Sequence, residues 1–391
     1  MTPGCPTKRT RRGFLIPGAV LLLMLPWPLA AQGFSERTLE VDAEFLGGDG
    51  IDLYGSTVAY TATSGPREWS VSLGVNQAEI AYEPGDPING LPVDPFGLEV
   101  DLSETRVVAS GTFQAPLGSR EFLAWTASTT LYDGFGDFNQ IWLNEYYRQQ
   151  FEDVTLPGAS YREPSPWGAV FNAGLRWEYA PTTGILEVTL GYARDRIAPG
   201  YEVFIDEETF ALELERGVED LDTGSITVTS ENIVHRRVRA RHQLYLGVTT
   251  DREPRVALQS AWNVAVSETL VARLAFDAAR EQPDFEAYAA ALTLDWEVTP
   301  GWMVGLVGRR YQDTGQIENA NLVTTAAPGQ QVTQAAFSLR YLSEDESRGF
   351  RILAGPYWTD FEPTGVGSDR FNNLYRDRDW TLVQAAASFR F

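Results

Sequence analysis

Apolar and polar residues alternate with a period of two along most of this chain. In the clearest stretch one face carries Ala169, Phe171, Ala173, Leu175, Trp177 and Tyr179, and the opposite face carries Asn172, Arg176 and Glu178. Successive side chains of a β-strand point to opposite faces, so this pattern predicts a strand with one apolar and one polar side. The last residues have the same form: Val383, Ala385, Ala387, Phe389 and Phe391 alternate with Gln384, Ala386, Ser388 and Arg390.

The same alternation predicts a series of strands joined by connections of unequal length. Short connections at 64–67, 116–120, 180–184, 267–269 and 299–301 mostly alternate with longer ones. The region Tyr201–Ile233 is ambiguous, because it contains either one weak strand, Val203 to Leu214, or one large acidic loop. We expect 16 strands in the first case. Fourteen are expected if this region and the Arg-rich strand after it form a hairpin outside the membrane. We favour 16, because the Arg-rich strand has an apolar face suited to lipid.

The fold class that these strands indicate is all-β, a closed antiparallel transmembrane β-barrel with short periplasmic turns and long external loops. Strands that are apolar on one face and polar on the other suit a barrel with lipid outside and water inside. An open sheet edge cannot exist in hydrocarbon, so the sheet must close. The longest clear loop, 133–167, contains residues at helical spacing. It either bends into the barrel or lies across the outer mouth.

The N-terminal residues have the pattern of a secretory signal peptide. A basic segment with Lys8 and Arg9 precedes an apolar run and the small residues Ala30 and Ala31, so we expect residues 1–31 to be removed and 32–391 to form the barrel. Residues 32–391 contain 27 basic and 53 acidic residues, a net charge of −26, and no cysteine. This acidic balance argues against nucleic-acid binding. The absence of cysteine excludes disulfides and thiolate chemistry there.

The ending of the chain resembles the C-terminal signal of bacterial outer-membrane β-barrel proteins. The features that carry the resemblance are the aromatic last residue Phe391, the aromatic Phe389 two positions earlier, and the small Ala386 upstream. The resemblance implies an integral protein of the bacterial outer membrane. It also implies that the barrel assembly machinery recognises the strand ending at Phe391. Outer-membrane lipid is then the main partner, and a homo-oligomer is possible.

The polar faces of the predicted strands would line the interior of such a barrel. The candidate pore-lining residues are Glu40, Asp42, Glu44, Arg106, Arg176, Glu178, Glu187, Asp195, Arg237, Arg239, Arg241, Arg273, Asp277 and Arg340. Arg237, Arg239 and Arg241 form a ladder with steps of about 7 Å. In a 16-strand barrel this ladder lies opposite the acidic first strand. The arrangement resembles the constriction of general porins, which oppose basic to acidic groups. The alternative is a network of salt bridges that fills a narrow interior.

These features predict an outer-membrane pore for passive diffusion of small hydrophilic solutes, with a transverse charge field in its interior. The alternative is a non-conducting barrel that acts through acidic surface loops in adhesion or envelope structure. We expect no enzymatic activity, since no His–Ser pairing of the outer-membrane phospholipase kind is apparent. No cofactor or metal is expected either.

Tryptophan and tyrosine recur near the predicted strand ends, as expected for the interfacial girdles of a membrane barrel. Most of them should face lipid. The residues are Trp69, Trp167, Trp177, Tyr179, Trp262, Trp296, Trp302, Trp358 and Trp380.

Overall fold

The computed structural model describes twelve parts of the chain. They are residues 36–48, 50–82, 100–118, 120–134, 161–162, 167–180, 183–205, 212–250, 252–281, 285–316, 327–361 and 377–391. The expected signal peptide, 1–31, lies outside the described residues. So does almost all of 133–167, and with it the question of whether this loop enters the barrel.

Sixteen strands form the barrel. They are Glu36–Gly48 (β1), Ile51–Ser64 (β2), Arg67–Tyr82 (β3), Val100–Leu117 (β4), Arg120–Asp133 (β5), Trp167–Ala180 (β6), Gly184–Ile205 (β7), Leu212–His235 (β8), Val238–Thr249 (β9), Arg255–Ala265 (β10), Leu270–Glu281 (β11), Phe285–Thr299 (β12), Trp302–Asp313 (β13), Gln330–Leu342 (β14), Arg348–Phe361 (β15) and Arg378–Arg390 (β16). Two-residue bridges at Gly315–Gln316 and Ala327–Pro328 pair with each other outside the barrel wall.

Every strand pairs antiparallel with its neighbours in sequence, and β1 pairs with β16 to close the sheet. The closing ladder runs from Glu40 opposite Arg390 to Gly47 opposite Val383. Leu39 and Phe391 extend it, since each backbone N–H donates to the other's carbonyl at 3.0 and 2.8 Å. The predicted closed antiparallel barrel of 16 strands is confirmed.

The outer surface of the wall is apolar. Large apolar side chains alternate outward on nearly every strand, and their exposed fractions reach 61% at Leu190 and 73% at Phe337. Tilted aromatic pairs such as Trp177–Tyr179 and Trp302–Tyr341 lie near the strand ends. A soluble protein rarely exposes so continuous an apolar belt, whereas an outer-membrane barrel requires it. The outer surface therefore faces lipid, as the alternation predicts.

Short turns join the strands at one end of the barrel, and longer connections lie at the other. The short turns include those at 65–66, 236–237 and 300–301, and we call this the periplasmic end. The turn between β14 and β15 is closed by Asp345. Its carboxylate accepts hydrogen bonds from the hydroxyls of Ser343 and Ser347, which lowers the pKa of Asp345 to about 2.

The eighth strand exists but lies later in the chain than Val203 to Leu214. The stretch 203–205 ends β7, and β8 begins only at Leu212. The two strands form a long hairpin in which Val203 pairs with Leu214, far beyond the part of β8 that pairs with β9. The residues chosen from the sequence therefore surround the hairpin tip, and the Ser/Thr-rich stretch 222–233 crosses the wall instead.

One further segment joins this hairpin. Tyr161 and Arg162 pair in parallel with Leu214 and Glu215 of β8. Among the residues that the structure describes, none belongs to a helix with the length and apolar character that a membrane crossing requires.

The alternation of lipid-facing and inward residues predicts opposite outcomes for two adjacent positions on β7. Leu190→Arg should lower the free energy of unfolding by about 2–4 kcal/mol, because it places a charge on the lipid face. Thr189→Arg should cost less than about 1 kcal/mol, since Thr189 lies on the inward face, away from lipid. Guanidinium unfolding of the protein refolded into lipid vesicles, followed by tryptophan fluorescence, measures both values. Equal losses at the two positions would contradict the assignment of faces.

Candidate pore lumen

The inward-facing side chains of the barrel are predominantly polar or small. The strand registers place thirteen of the fourteen residues singled out from the sequence on inward faces: Glu40, Asp42, Glu44 (β1), Arg106 (β4), Arg176, Glu178 (β6), Glu187, Asp195 (β7), Arg239, Arg241 (β9), Arg273, Asp277 (β11) and Arg340 (β14). The structure brings several of them together in the separate groups described below.

Arg237 lies elsewhere. It occupies the turn between β8 and β9, is exposed, and its guanidinium reaches the backbone carbonyl of Val266 in the neighbouring turn at 3.5 Å. A register shift between Val238 and Arg239 separates this turn from the regular ladder. The arginine ladder on the wall therefore consists of Arg239 and Arg241.

The ladder lies at the periplasmic end of β9. Arg239 forms an ion pair with Glu231 of β8, with 3.8 Å between Nε and Oε1. Arg241 is also exposed and sits opposite Glu231 in the strand register. Since β9 and β1 are eight strands apart in a ring of sixteen, the two arginines and the acidic strand occupy opposite walls.

The acidic strand β1 has one arginine beside it that partly offsets its charge. Glu40 pairs with Arg390 of β16 at 3.7 Å. Asp42 and Glu44 continue the same inward face, and no ion pair within 4 Å joins either of them to the described residues around them. The alternate positions hold three carboxylates about 7 Å apart from one to the next.

A group of arginines lies on β14 and β15, close to β16. Arg340 of β14 and Arg351 of β15 are direct cross-strand partners. Arg273 of β11 forms an ion pair with Asp295 at 3.1 Å, and this pair also lies close enough to Arg340 to act on it electrostatically. Arg340 itself donates to the sulfur of Met303 at 3.2 Å. Arg351 was not identified from the sequence.

Most inward charges lie toward the periplasmic end of the lumen. Arg176 and Glu178 come near the end of β6 and contact each other at 3.9 Å, and Glu187 comes near the start of β7. The middle of β3 to β8 instead carries hydroxyl groups. Ser72 and Ser110 hydrogen-bond at 2.6 Å, and Thr126 donates to Glu187 at 2.9 Å. The lumen is therefore hydroxyl-rich at mid-height on one side and charged at its lower end.

A second group lies higher in the lumen. The guanidinium of Arg106 stacks over the ring of Tyr132 with 4.5 Å to the centroid, and the Tyr132 hydroxyl donates to Asp195 at 2.7 Å. Tyr132 reaches Asp195 across β6, where the intervening residue is Gly168. A methyl group at position 168 would lie 2.1 Å from the tyrosine ring. This glycine therefore permits the contact between Tyr132 and Asp195.

The remaining wall is less polar than the sequence suggested. Val307, Ala336 and Leu353 form a buried inward-facing cluster on β13 to β15. Beside it Tyr357 and Trp380 meet edge to face, with ring centroids 5.1 Å apart. Trp380 therefore faces inward, unlike most of the aromatic residues of the predicted girdle.

A His–Ser contact lies on the outer face of the barrel, where the alternation places His242. His242 Nδ1 and Ser260 Oγ are 3.1 Å apart, and the indole N–H of Trp262 donates to the same hydroxyl at 3.0 Å. Hydrolysis through such a pair needs backbone donors aimed at an oxyanion. The backbone groups around His242 already form hydrogen bonds in the ladders with β8 and β10, so they are not free to bind an oxyanion. The contact is thus a polar pair among interfacial aromatic side chains.

Metal binding has no support in the described part of the chain. There, no group of three or more His, Cys, Asp or Glu side chains is arranged to hold a metal ion.

Known proteins resemble this chain in fold. No family model matches it, and no curated protein matches its sequence. CdiB from Acinetobacter baumannii has a TM-score of 0.55 at 9% identity, with 91% of this chain and 60% of CdiB covered. This chain thus spans about 60% of the length of CdiB. OprB from Pseudomonas putida has a TM-score of 0.48 at 9% identity, over 93% and 94% of the two chains. At 9% identity the likeness to CdiB establishes the fold alone, that of a β-barrel.

The contact across Gly168 gives a prediction. Gly168→Ala should lower the free energy of unfolding by about 1–3 kcal/mol, because the new methyl group displaces the Tyr132 ring. The matched control is Gly224→Ala on β8, where an added methyl group meets nothing within 4 Å. Guanidinium titration of both variants measures the difference. If Gly168→Ala were as stable as the control, the contact between Tyr132 and Asp195 would contribute nothing measurable to the free energy of unfolding.

Proposed function

We propose that this outer-membrane β-barrel is a pore through which small hydrophilic solutes diffuse passively. The observation that carries the proposal is a closed ring of 16 strands with an apolar exterior and charged, hydroxylated inward faces. Barrels of 16 to 18 strands are wide enough to hold an aqueous channel. Charges without an ion-pair partner among the described residues, such as those of Asp42 and Arg241, require water nearby, because an isolated charge in a dry interior is prohibitively costly.

The charges on opposite walls would orient solutes during passage. Arg239 and Arg241 face Glu40, Asp42 and Glu44 across the lumen. Glu231 partly neutralises the ladder, and Arg390 partly neutralises the acidic strand. We therefore propose a transverse field of modest strength, directed from β9 toward β1, at the periplasmic half of the pore.

The proposal also names a partner for the apolar exterior of the barrel and one for its final strand. The exterior belt contacts outer-membrane lipid. The final strand, with Phe389 and Phe391 exposed on its lipid side, is the segment we expect the barrel assembly machinery to recognise. No catalytic step is part of the proposed function.

Conductance in planar bilayers tests the pore and the ladder together. The wild-type protein should form steady channels, and Arg239→Ala/Arg241→Ala should shift the ratio of cation to anion permeability toward cations by about two- to five-fold. Removing two exposed positive charges that are each worth roughly 0.2–0.5 kcal/mol accounts for a change of this size. The reversal potential in a salt gradient measures the ratio.

Arg237→Ala is the matched control, because Arg237 belongs to the same sequence motif but lies in a turn. It should leave the permeability ratio unchanged. A folded wild-type protein without conductance would refute the pore. Conductance that the double variant leaves unchanged would keep the pore and exclude the ladder as its charge-selective element.

A further inference from the structure

A cavity of about 630 Å³ lies against the wall where the barrel closes. It is bounded by two neighbouring rows of inward side chains. The first row runs Arg340, Arg351, Ala386, Glu44 and Gly55, and the second runs Leu342, Gly349, Ser388, Asp42 and Thr57. The volume falls in the range of pockets that hold small molecules.

The charges of this cavity are sorted by sign. Arg340 and Arg351 lie on β14 and β15, and Asp42 and Glu44 lie on β1, with only β16 between the two groups. Arg351 and Glu44 are each register partners of Ala386, so their backbones lie about 10 Å apart, two strand spacings. The small side chains of Ala386 and Ser388 leave the space between the charges open.

Neither group is neutralised by the other. No ion pair within 4 Å joins Arg340 or Arg351 to Asp42 or Glu44 among these described residues. Arg340 and Arg351 are also directly opposed across two strands, an arrangement of like charges that destabilises a sheet. If one of these arginines and one of the carboxylates on β1 changed places, each arginine would lie near a carboxylate and could form an ion pair. The observed arrangement therefore lowers stability and leaves two opposite charges available to a solute.

We propose that this cavity binds small zwitterionic solutes of amino-acid or dipeptide size. The carboxylate of the solute lies toward Arg340 and Arg351, and its ammonium group lies toward Asp42 and Glu44. A planar guanidinium matches a carboxylate with two parallel hydrogen bonds. Two nearby carboxylates suit an ammonium group with three donors. Uncharged and singly charged molecules of the same size satisfy at most one side.

The inference deepens the proposed pore function and rests on it, since the cavity lies on the wall of the lumen. A solute held here sits at the side of the passage and near its periplasmic end. Weak binding at such a place raises the local concentration of the preferred solute without closing the pore. The cavity would thus give a preference among hydrophilic solutes that size alone does not.

Isothermal titration calorimetry of the refolded full chain in detergent tests the binding separately from conductance. The probe is L-alanyl-L-alanine, and the comparison molecules are its singly charged amide, its singly charged N-acetyl derivative and the neutral N-acetyl amide. The zwitterion should bind at least about ten-fold more tightly than each of the three, a difference of about 1.4 kcal/mol. Equal affinities across the four molecules, or no measurable binding of the zwitterion, would overturn the proposal.

Two variants locate the binding. Arg351→Gln and Glu44→Gln should each weaken zwitterion binding by about ten-fold, because each removes one of the two opposite charges. The matched controls are Arg309→Gln and Glu281→Gln, which change inward charges on β13 and β11 away from the cavity. They should bind like the wild-type protein. The heat-dependent shift in electrophoretic mobility verifies that each variant is folded.

The outcomes separate the two proposals. A conducting wild-type protein that binds zwitterion and neutral amide alike would refute the cavity and keep the pore. A protein that forms no conducting channels but still binds the zwitterion through Arg351 and Glu44 would refute the pore and support the binding site. Equal losses in the cavity variants and in the controls would show general electrostatic attraction, and that result also contradicts a site at this position.

Discussion

The pairing of the first strand with the last is the interaction on which the rest of the structure depends. Hydrocarbon offers no hydrogen-bond partner, so an open edge on β1 or β16 would leave a row of backbone groups unsatisfied at several kcal/mol each. The ladder from Glu40 to Gly47 removes that edge, and the mutual hydrogen bonds of Leu39 and Phe391 extend it to the final residue. Once the backbone is satisfied around the ring, side chains need only suit lipid on one face and water on the other.

Because the backbone hydrogen bonds hold the ring together, the inward side chains can carry charges in an arrangement that does not favour stability. Arg340 opposes Arg351, and three carboxylates follow one another on β1. A sheet that relied on its side-chain pairs would intersperse the signs, because like charges directly opposite each other destabilise a strand pair. Here the backbone ladder and the lipid-facing belt supply the stability. The sorted charges are therefore better explained by the proposed passage of solutes than by the folding of the wall.

Alternation of residue types was enough to predict the strand number and the outward faces, and it failed where the two faces of a strand are chemically alike. In the crossing part of β8, Thr227 and Thr229 face inward while Val228 and Ser230 face outward, so the contrast is weak and the strand was assigned to the wrong residues. On β15 both faces carry apolar groups, and Arg351 was missed among them. Trp380 was placed in the girdle because tryptophan usually lies there, whereas it stands on the same face of β16 as Gln384 and Arg390, which points inward. For the crossing part of β8 the pairing with the strands on either side decides the faces, and that register is not encoded in one strand alone.

Distance decides which of the two proposed charge arrangements would dominate the recognition of solutes in a cell. The ring of 16 strands separates opposite backbones by on the order of 30 Å, from the strand spacing and tilt. At physiological ionic strength the screening length is about 8 Å, so the proposed field between Arg241 and the acidic strand would be strongly attenuated at the centre of a water-filled lumen. The charges of Arg351 and Glu44 lie on backbones only about 10 Å apart, and their side chains project into one cavity. Screening therefore favours short-range recognition at the wall, and the field across the lumen gains importance only as the salt concentration falls.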